Sequence, residues 1–434
     1  MKIVYLAAGA GAMYCGSCLH GNTLAAALCA AGQDCLLAPL YTPLRTDEES
    51  VSLDRVAFGG VNVYLQQRWA LFRHTPWALD RLLDQPKLLR WATRRSAAVR
   101  PERLGPLSVS MLEGEHGRQR KEVEKLVQWL ARDIRPDVVH LNNALLIGVA
   151  RQLIRRLGVP VVCSLSGEDS FLEKLPEPHR SQALGVLRER VGEAAALVAM
   201  NGYYADFMAG YLHVPRPQIR VVPPGLNLVG HGTKQSRDGP FTIGYVARIC
   251  PDKGLHQLAA ALEILVADPE VPPVQVWAAG YLDAADRPYF AEIRQQIDDA
   301  GLADRFHYVG QLDRATKIAF LQSLDLFCLP TVYRESKGLS VFEAWANAVP
   351  AVLPAHGAFP EMVADTGGGV LCEPNDPAAL AASLKRMILD REFAADCGRR
   401  AQQAVHERYN SQVMARKMIE VYEGLGIGDY SVPH

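Results

Sequence analysis

The chain has 434 residues, enough for two or three domains that each bury a core. Its 46 Lys and Arg residues nearly balance its 47 Asp and Glu residues, which argues against a protein whose main task is to coat nucleic acid. The nine cysteines are odd in number and scattered, a usage typical of a reducing compartment. No apolar run reaches the length of a transmembrane helix, and the first one is too short for the core of a signal peptide. We therefore expect a cytoplasmic protein, with contact to the inner membrane face left open.

The amino terminus predicts a strand, a glycine-rich loop and a helix. Residues 2–7 are apolar, residues 8–18 contain several glycines, and residues 19–31 have helical composition. This loop is not a dinucleotide fingerprint, because Tyr14 stands where the third glycine would be. It still places the backbone of a loop at the carboxyl end of a strand, where doubly wound sheets bind ligands.

Residues 66–104 form a basic, aromatic insert. Three tryptophans are interleaved there with nine Lys and Arg residues, and few carboxylates oppose them. One interpretation is an amphipathic surface that contacts anionic lipid or receives a phosphorylated acceptor. The other is a helical cap whose tryptophans fill the core of the domain while the arginines face water.

A buried strand over residues 137–143 ends in polar side chains. His140 and Asn142 are expected to emerge at its carboxyl end. A histidine at that position is a candidate for proton transfer or for binding a hydroxyl group, although a strand-end histidine can also be purely structural. The next strand and its loop cover residues 160–169.

The second half of the chain alternates strands with helices, after a polar, glycine-bearing linker over residues 229–240. Such alternation predicts an α/β fold with a parallel, doubly wound sheet. The predicted strands are 241–247, 274–279, 305–309, 325–330, 350–354 and 369–373, and the predicted helices are 255–266, 287–300, 314–323, 339–347, 377–389, 392–407 and 411–425.

Two glutamates flank the start of one of these helices. Glu335 lies in the loop after the apolar run 324–330, and Glu343 follows seven intervening residues later, inside the helix that begins after Gly338. Free N–H groups and the helix dipole at this point suit a diphosphate. Carboxylates are natural acceptors for sugar or ribose hydroxyls. The alternative is that both glutamates are solvated charges at a helix end.

Two cations follow the strand 241–247. Arg248 comes directly after it, and Lys253-Gly254 precede the next helix. Arginine can bind phosphate oxygens with two parallel hydrogen bonds, and lysine adds a point charge. Each cation by itself could also be a surface residue flanking a turn.

Taken together, Arg248…Lys253-Gly254 and Glu335-x7-Glu343 resemble the donor-site signature of the retaining GT-B glycosyltransferases of family 4. Residues 351–363 resemble the next strand and glycine loop of that family. The resemblance covers most of residues 241–425, and over residues 1–228 it is weaker but consistent in order.

The resemblance implies two Rossmann-like, doubly wound domains with a cleft between them. Residues 1–228 would bind the acceptor and residues 241–408 the donor, joined by the linker 229–240. A helix within residues 409–434 would pack back on the first domain.

It also implies the transfer of a sugar from a UDP- or GDP-sugar, with retention of configuration, to a hydroxyl on a glycan, a lipid or a small molecule. No cofactor is implied, since the sugar nucleotide is a substrate, and no metal, which agrees with the missing Asp-x-Asp motif. Arg248 and Lys253 would neutralise the leaving diphosphate, Glu335 would hold the sugar, and Glu343 the ribose. The residues expected at the donor are Gly16, Arg248, Lys253, Gly280, Leu312, Glu335, Gly338, Leu339, Ser340 and Glu343.

The first half departs from the family at one position. Ser166 stands where many members carry a histidine near the reacting sugar, so Ser166, Glu168 or Asp169 would meet the acceptor instead. This departure leaves open a non-catalytic protein that only binds a sugar nucleotide. Another doubly wound enzyme, of epimerase or NAD type, is the second alternative; the Arg…Lys-Gly pattern opposes the former and the missing G-x-G-x-x-G the latter.

Overall fold

The computed structural model describes residues 1–9, 16–53, 56, 63, 67, 104–232, 234 and 239–426. The chain divides into two compact units: unit 1 comprises Met1–Gly225 and Ser411–His434, and unit 2 comprises Leu226–Asn410. The basic insert predicted at residues 66–104 lies outside the described residues except for Gln67 and Leu104. Both interpretations of that insert therefore stay predictions.

Unit 1 is built on a parallel sheet of six strands in the order β2-β1-β3-β4-β5-β6. Its central strands are apolar at almost every position because helices cover both faces of a parallel sheet. The strands are β1 (Lys2–Ala7), β2 (Asp34–Pro39), β3 (Val138–Leu141), β4 (Val161–Ser164), β5 (Ala196–Ala199) and β6 (Ile219–Val221). The helices are α1 (Gly16–Ala30), α2 (Gly105–Leu112), α3 (Arg120–Trp129), α4 (Ala150–Leu157), α5 (Glu168–Leu172), α6 (His179–Arg190), α7 (Gly202–Leu212) and, from the end of the chain, α15 (Ser411–Glu423).

Unit 2 repeats this architecture with the sheet order β12-β11-β10-β7-β8-β9, again parallel. The strands are β7 (Phe241–Val246), β8 (Val274–Ala279), β9 (Phe306–Tyr308), β10 (Leu326–Cys328), β11 (Ala351–Pro354) and β12 (Gly369–Cys372). The helices are α8 (Leu255–Ala267), α9 (Arg287–Asp299), α10 (Arg314–Gln322), α11 (Leu339–Trp345), α12 (Phe359–Thr366), α13 (Pro377–Leu389) and α14 (Arg391–Arg408).

The last helix, α15, completes the core of unit 1. It packs on α1 and places Met414, Met418 and Tyr422 in one apolar cluster with Tyr5 and Leu24. All five side chains are at most 1% exposed. The end of the chain therefore covers one face of the sheet that the beginning of the chain forms.

The α/β class with two doubly wound parallel sheets, predicted from the sequence, is confirmed. Each predicted strand and helix of unit 2 has a counterpart, and the ends differ mainly where strands are shorter than their apolar runs. The run 324–330, for example, contains a strand of only three residues, Leu326–Cys328. Among the described residues, none of the helices combines the length and the apolar character that a membrane crossing requires.

Candidate functional site

The carboxyl ends of β7 and β10 bring the two sequence motifs of unit 2 together. These strands are neighbours in the sheet and run parallel, so their following loops emerge at the same edge. The backbone N–H of Val332 donates to the carbonyl oxygen of Asp252 at 3.0 Å and ties one loop to the other. The motif around Lys253 is thereby held against the motif around Glu335, although the two lie 82 positions apart in the chain.

Lys253, Tyr333 and Glu335, here named the charged cluster, are joined by three short hydrogen bonds. Lys253 Nζ donates to Glu335 Oε2 and to Tyr333 Oη, each at 2.6 Å. Tyr333 Oη donates to the same Glu335 Oε2 at 2.6 Å. The other oxygen, Oε1, accepts from the backbone N–H groups of Ser336 at 3.1 Å and Lys337 at 3.0 Å. The carboxylate is thus fixed by its own loop on one side and by Lys253 on the other.

Charge decides the protonation states in the charged cluster. Burial alone would raise the pKa of Glu335, but the ammonium group of Lys253 and the hydrogen bonds around the carboxylate lower that pKa to about 2. Burial would lower the pKa of Lys253, yet Glu335 and Tyr333 raise it above its ordinary value. The pair is therefore ionised at neutral pH. The Lys253 side chain keeps 20% of its surface exposed, against 6% for Glu335, so the lysine is the member more open to a ligand.

Glycines shape the backbone where both motifs enter their helices. Gly254, before α8, has φ +72°, and a Cβ there would lie 1.7 Å from the carbonyl oxygen of Pro330. Gly338, before α11, has φ +62°, and a Cβ there would lie 2.6 Å from Met362 Cε. At Gly254 a side chain would collide with backbone, and at both positions the left-handed backbone is strained for any residue with a side chain, so both turns favour glycine. The first N–H groups of α11, from Leu339 and Ser340, follow directly.

Arg248 extends the positive edge beyond the charged cluster. It lies two residues after the end of β7, and its side chain is exposed. Next to it, Gly280 ends β8 with φ +146°, and a Cβ at Gly280 would lie 1.7 Å from the carbonyl oxygen of Ala247. Gly280 N–H donates to the carbonyl oxygen of Gly310 at 2.8 Å. Leu312, half-buried, comes two residues later and precedes α10. The predicted residues Arg248, Gly280 and Leu312 thus follow three adjacent strands of one sheet.

Glu343 lies apart from the charged cluster, on α11, and faces α10. Its Oε1 is 2.5 Å from Lys317 Nζ, and both side chains are nearly buried, at 7% and 11% exposure. Sequence reasoning did not find Lys317 or Tyr333. A signal for Lys317 exists, because a lysine on the face that α10 buries with Ile318 and Leu321 requires a partner.

In unit 1, the expected position of His140 is wrong. The side chain does not emerge at the end of its strand; it is 0% exposed in the middle of the core. Nδ1 lies 2.6 Å from Tyr422 Oη and Nε2 lies 2.8 Å from Ser164 Oγ. Burial and the nearby His20 lower the pKa of His140 to about 3. Nδ1 joins the strand to α15 through Tyr422, and Nε2 joins it to the neighbouring strand β4 through Ser164, so both ring nitrogens have a structural role.

A second group of polar side chains, here named the polar cluster, lies beyond the end of β4. It consists of Ser166 in the loop after β4, Glu168 at the start of α5 and Tyr204 on α7. Glu168 is 0% exposed. Its Oε2 accepts from Ser166 N–H at 2.7 Å and from Tyr204 Oη at 3.2 Å, and its Oε1 accepts from Ala144 N–H at 2.9 Å. Tyr204 Oη also lies 2.7 Å from a carboxylate oxygen of the half-buried Asp169. The cluster fixes the loops after β3 and β4.

Gly16 is the first residue of α1 and is exposed. The loop residues 10–15 that precede it lie outside the described residues. Among the described residues, no group of three or more His, Cys, Asp or Glu side chains is arranged to hold a metal ion.

Comparison with known proteins places this geometry in a family. Residues 231–404 match the family model "Glycosyl transferases group 1", and residues 89–229 match "Glycosyltransferase Family 4". The chain is 34% identical over 318 residues to phosphatidyl-myo-inositol mannosyltransferase of Mycolicibacterium smegmatis, covering 70% of this chain and 75% of that protein. It is 26% identical over 301 residues to glycogen synthase of Mycobacterium tuberculosis, covering 67% and 69%.

Solved structures show the same architecture. Sucrose-phosphate synthase from Thermosynechococcus elongatus superposes with a TM-score of 0.74 at 20% identity, covering 99% of this chain and 100% of that one. Anabaena HepE, solved in complex with UDP, superposes with a TM-score of 0.67 at 18% identity, covering 98% and 100%. The fold is GT-B, as predicted, and the chain belongs to the family 4 glycosyltransferases (glycosyl transferases group 1).

Proposed function

We propose that the protein transfers a sugar from a nucleoside-diphosphate sugar, carrying uridine or guanosine, to a hydroxyl acceptor, with retention of anomeric configuration and without a metal ion. The observation that carries this proposal is the charged cluster at the carboxyl edge of the unit 2 sheet, with the exposed Arg248 on the same edge. HepE, which shares the fold, binds UDP in its crystal structure, and this supports a nucleoside diphosphate as the ligand of this chain as well.

Charge stabilisation is the chemistry that this edge can supply. When the bond between sugar and diphosphate breaks, negative charge develops on the leaving phosphate. Lys253 and Arg248 stabilise that charge, assisted by backbone N–H groups at Gly338–Ser340 and at Gly16. Once both cations have turned toward the bound diphosphate, they need no further reorganisation at the moment of reaction. This is the role usually given to a metal ion in sugar-nucleotide chemistry, and here side chains perform it.

The carboxylates orient the donor. Glu335 keeps Oε1 on two backbone N–H groups. Its Oε2, which accepts from Lys253 and Tyr333, becomes an acceptor for the sugar hydroxyls when Lys253 turns toward the diphosphate. Glu343 receives the ribose hydroxyls. Gly280 and Leu312, which follow β8 and β9, lie against the base. In this arrangement the segment after β7 binds the diphosphate, the loop and helix after β10 bind the sugar and the ribose, and the turns after β8 and β9 bind the base.

The acceptor belongs to unit 1. Ser166, in the loop after β4, is buried, whereas Asp169, in the first turn of α5, is half-buried. Asp169 is therefore the more accessible of the two to an acceptor hydroxyl. The mannosyltransferase relative carries the name of a lipid, phosphatidyl-myo-inositol. For this chain we propose an acceptor hydroxyl on a glycan, a lipid or a small molecule.

Contact of residues 66–104 with an anionic membrane is a separate part of the proposal, and it rests on the sequence of the insert. Flotation with liposomes that contain or lack anionic lipid tests it. We expect salt-sensitive binding to the anionic liposomes alone. Equal behaviour of both liposome types would contradict the membrane contact.

A thermal-shift panel tests the donor site. UDP, GDP, ADP, their common sugars and NAD are added singly, without metal, to the wild-type protein and to Arg248→Ala. We expect one nucleoside diphosphate to stabilise the wild type, by about 2.7 kcal/mol when its concentration is 100 times Kd, and Arg248→Ala to lose most of that stabilisation. Stabilisation by NAD alone, or an undiminished response of Arg248→Ala, would contradict the proposal.

A further inference from the structure

The buried ion pair between Lys317 and Glu343 is a feature that the proposed donor chemistry leaves unexplained. Lys317 is 9% exposed and Glu343 is 5% exposed, and their charged atoms are 2.5 Å apart. Taking two such charges out of water is costly, and apolar residues of similar size often stabilise a core equally well or better. Stability therefore gives no strong reason for a lysine at this position.

The backbone around Lys317 is fixed at the start of α10. The side chain of Asp313 caps the helix by accepting from the N–H of Thr316 at 2.8 Å. The N–H of Lys317 donates to the carbonyl oxygen of Asp313 at 2.8 Å. The neighbouring Ile318 and Leu321 are buried. Lys317 therefore reaches Glu343 from a rigid first turn that starts one residue after Leu312.

Glu343 is equally constrained on its own helix. It lies between Phe342 and Trp345, which are at most 2% exposed. Its carbonyl oxygen accepts from Asn347 Nδ2 at 2.8 Å. At the end of the side chain, Oε1 accepts from Lys317 Nζ. A carboxylate has about four acceptor positions on its two oxygens, so a lysine at Oε1 fixes the direction of the remaining ones.

We propose that Lys317 is a positioning residue for Glu343: by holding Oε1, it turns this carboxylate so that Oε2 accepts from the ribose hydroxyls of the donor. The proposal rests on the proposed function, because it assumes a nucleoside diphosphate on unit 2. It makes Lys317 a determinant of selectivity for ribose over a sugar without 2′ and 3′ hydroxyls. A site built to accept a hydroxyl discriminates strongly against a ligand that lacks it.

The loss of Lys317 changes the direction of the Glu343 carboxylate without removing it. Without the lysine at Oε1, the carboxylate can rotate about its side chain, and Oε2 no longer offers an acceptor in a fixed direction. The predicted consequence is weaker binding of the ribose form alone. A role in stability only would weaken the two nucleotide forms equally, through the folded fraction.

Isothermal titration calorimetry of UDP and GDP against 2′,3′-dideoxy-UDP and 2′,3′-dideoxy-GDP tests this inference. We expect the wild type to bind one ribose form at least about 10-fold more tightly than its dideoxy form, the value of one lost hydrogen bond to a charged group. In Lys317→Met this ratio should fall below about 3-fold. In Lys317→Arg, which keeps the charge, it should remain high.

Two further variants keep the test decisive. Lys317→Gln has a neutral but polar side chain. If Lys317→Met does not fold, the ratio of ribose to dideoxy affinity in Lys317→Gln tests the inference instead. Lys385→Met removes a lysine from a more exposed pair with Asp268 and should leave the ratio unchanged.

Three outcomes count against the inference. A ratio in Lys317→Met or Lys317→Gln equal to that of the wild type overturns it while the donor site stands. A wild type that binds ribose and dideoxy forms equally overturns it as well. A wild type that binds neither diphosphate overturns it together with the proposed function.

Discussion

The two sheets carry polar groups at their carboxyl edges, and the two clusters differ in how a buried carboxylate is compensated. In the polar cluster of unit 1, Glu168 accepts from two backbone N–H groups and from the hydroxyl of Tyr204. In the charged cluster of unit 2, Glu335 also accepts from two N–H groups and a tyrosine, but an ammonium group joins them. Similar geometry thus has a different electrostatic character.

The difference shows which cluster is suited to a ligand. Backbone N–H groups and a buried hydroxyl cannot leave their carboxylate without breaking the loops they belong to, so the polar cluster fixes structure. A lysine side chain can turn toward a phosphate while its stem stays in place. The charged cluster therefore combines a rigid carboxylate with a cation that a ligand can share. Four predictions test this contrast, in order of decreasing effect.

Glu335→Gln should give the largest effect. The amide keeps the shape of the side chain but removes the charge that holds Lys253 and accepts from the sugar. We expect an intact fold and a fall in sugar transfer of about 100-fold or more, comparable to the loss of one preorganised electrostatic group. The rate of sugar transfer is measured by the release of nucleoside diphosphate from the sugar nucleotide. Glu292→Gln, at an exposed position of α9, is the matched control; equal rates in the two variants would remove Glu335 from the mechanism.

Lys253→Met tests the stability of the charged cluster. It leaves Glu335 buried without its ammonium partner, and we expect a loss of about 3 kcal/mol in the free energy of unfolding, measured with urea. The double variant Lys253→Met/Glu335→Gln should recover part of that loss. Lys385→Met removes a lysine from a solvent-screened pair with Asp268 and Glu270, so its loss in the free energy of unfolding should be clearly smaller. A similar cost for both lysines would mean that the charged cluster behaves as a surface pair.

The pH dependence of stability should separate the buried His140 of unit 1 from the charged cluster of unit 2. His140 has its pKa lowered from 6.5 to about 3 in the folded protein, so the unfolded chain takes up this proton first. The contribution of the neutral His140 side chain to the free energy of unfolding is fully present above pH 6.5. It is lost as the pH falls toward 3, by about 1.4 kcal/mol per pH unit. Glu335, whose pKa is lowered from 4.5 to about 2, loses its contribution only below about pH 4.5.

Urea unfolding at pH 7, 6 and 5 measures the contribution of His140. His140→Gln should flatten the loss of stability between pH 6.5 and 5, whatever its effect at pH 7. His213→Asn changes an exposed histidine at the end of α7 and should keep the wild-type slope. A wild-type slope in His140→Gln would show that the buried imidazole is not the group that titrates.

Ser166→Ala should have the smallest effect. Ser166 Oγ donates to the carbonyl oxygen of Asn142 at 3.2 Å and accepts from Asn143 Nδ2 at 3.0 Å. Its loss leaves these groups without one partner and should cost about 1 kcal/mol of stability. Nucleotide affinity should stay unchanged, because the polar cluster belongs to unit 1. A clear loss of affinity for nucleoside diphosphates would contradict the division of roles between the clusters.

The order of strands and helices follows from local sequence, and so do several candidate residues. Arg248 and Glu335 could be placed after strands because an apolar run, a turn and a helical period occur within a few residues of each other. The positions of the glycines before α8 and α11 can be predicted for the same reason. A residue's position along its own strand, loop or helix is largely a matter of its near neighbours in the chain.

What lies against a side chain was decided by tertiary structure alone. The sequence placed Lys253 and Glu335 at strand ends, but the adjacency of β7 and β10 made them an ion pair. Tyr422 meets His140 across 282 positions of the chain, which turned a predicted site residue into part of the core. Hydrophobic periodicity predicts which face of a helix or strand is buried. The residue that packs against that face depends on long-range contacts, which a local sequence pattern does not contain.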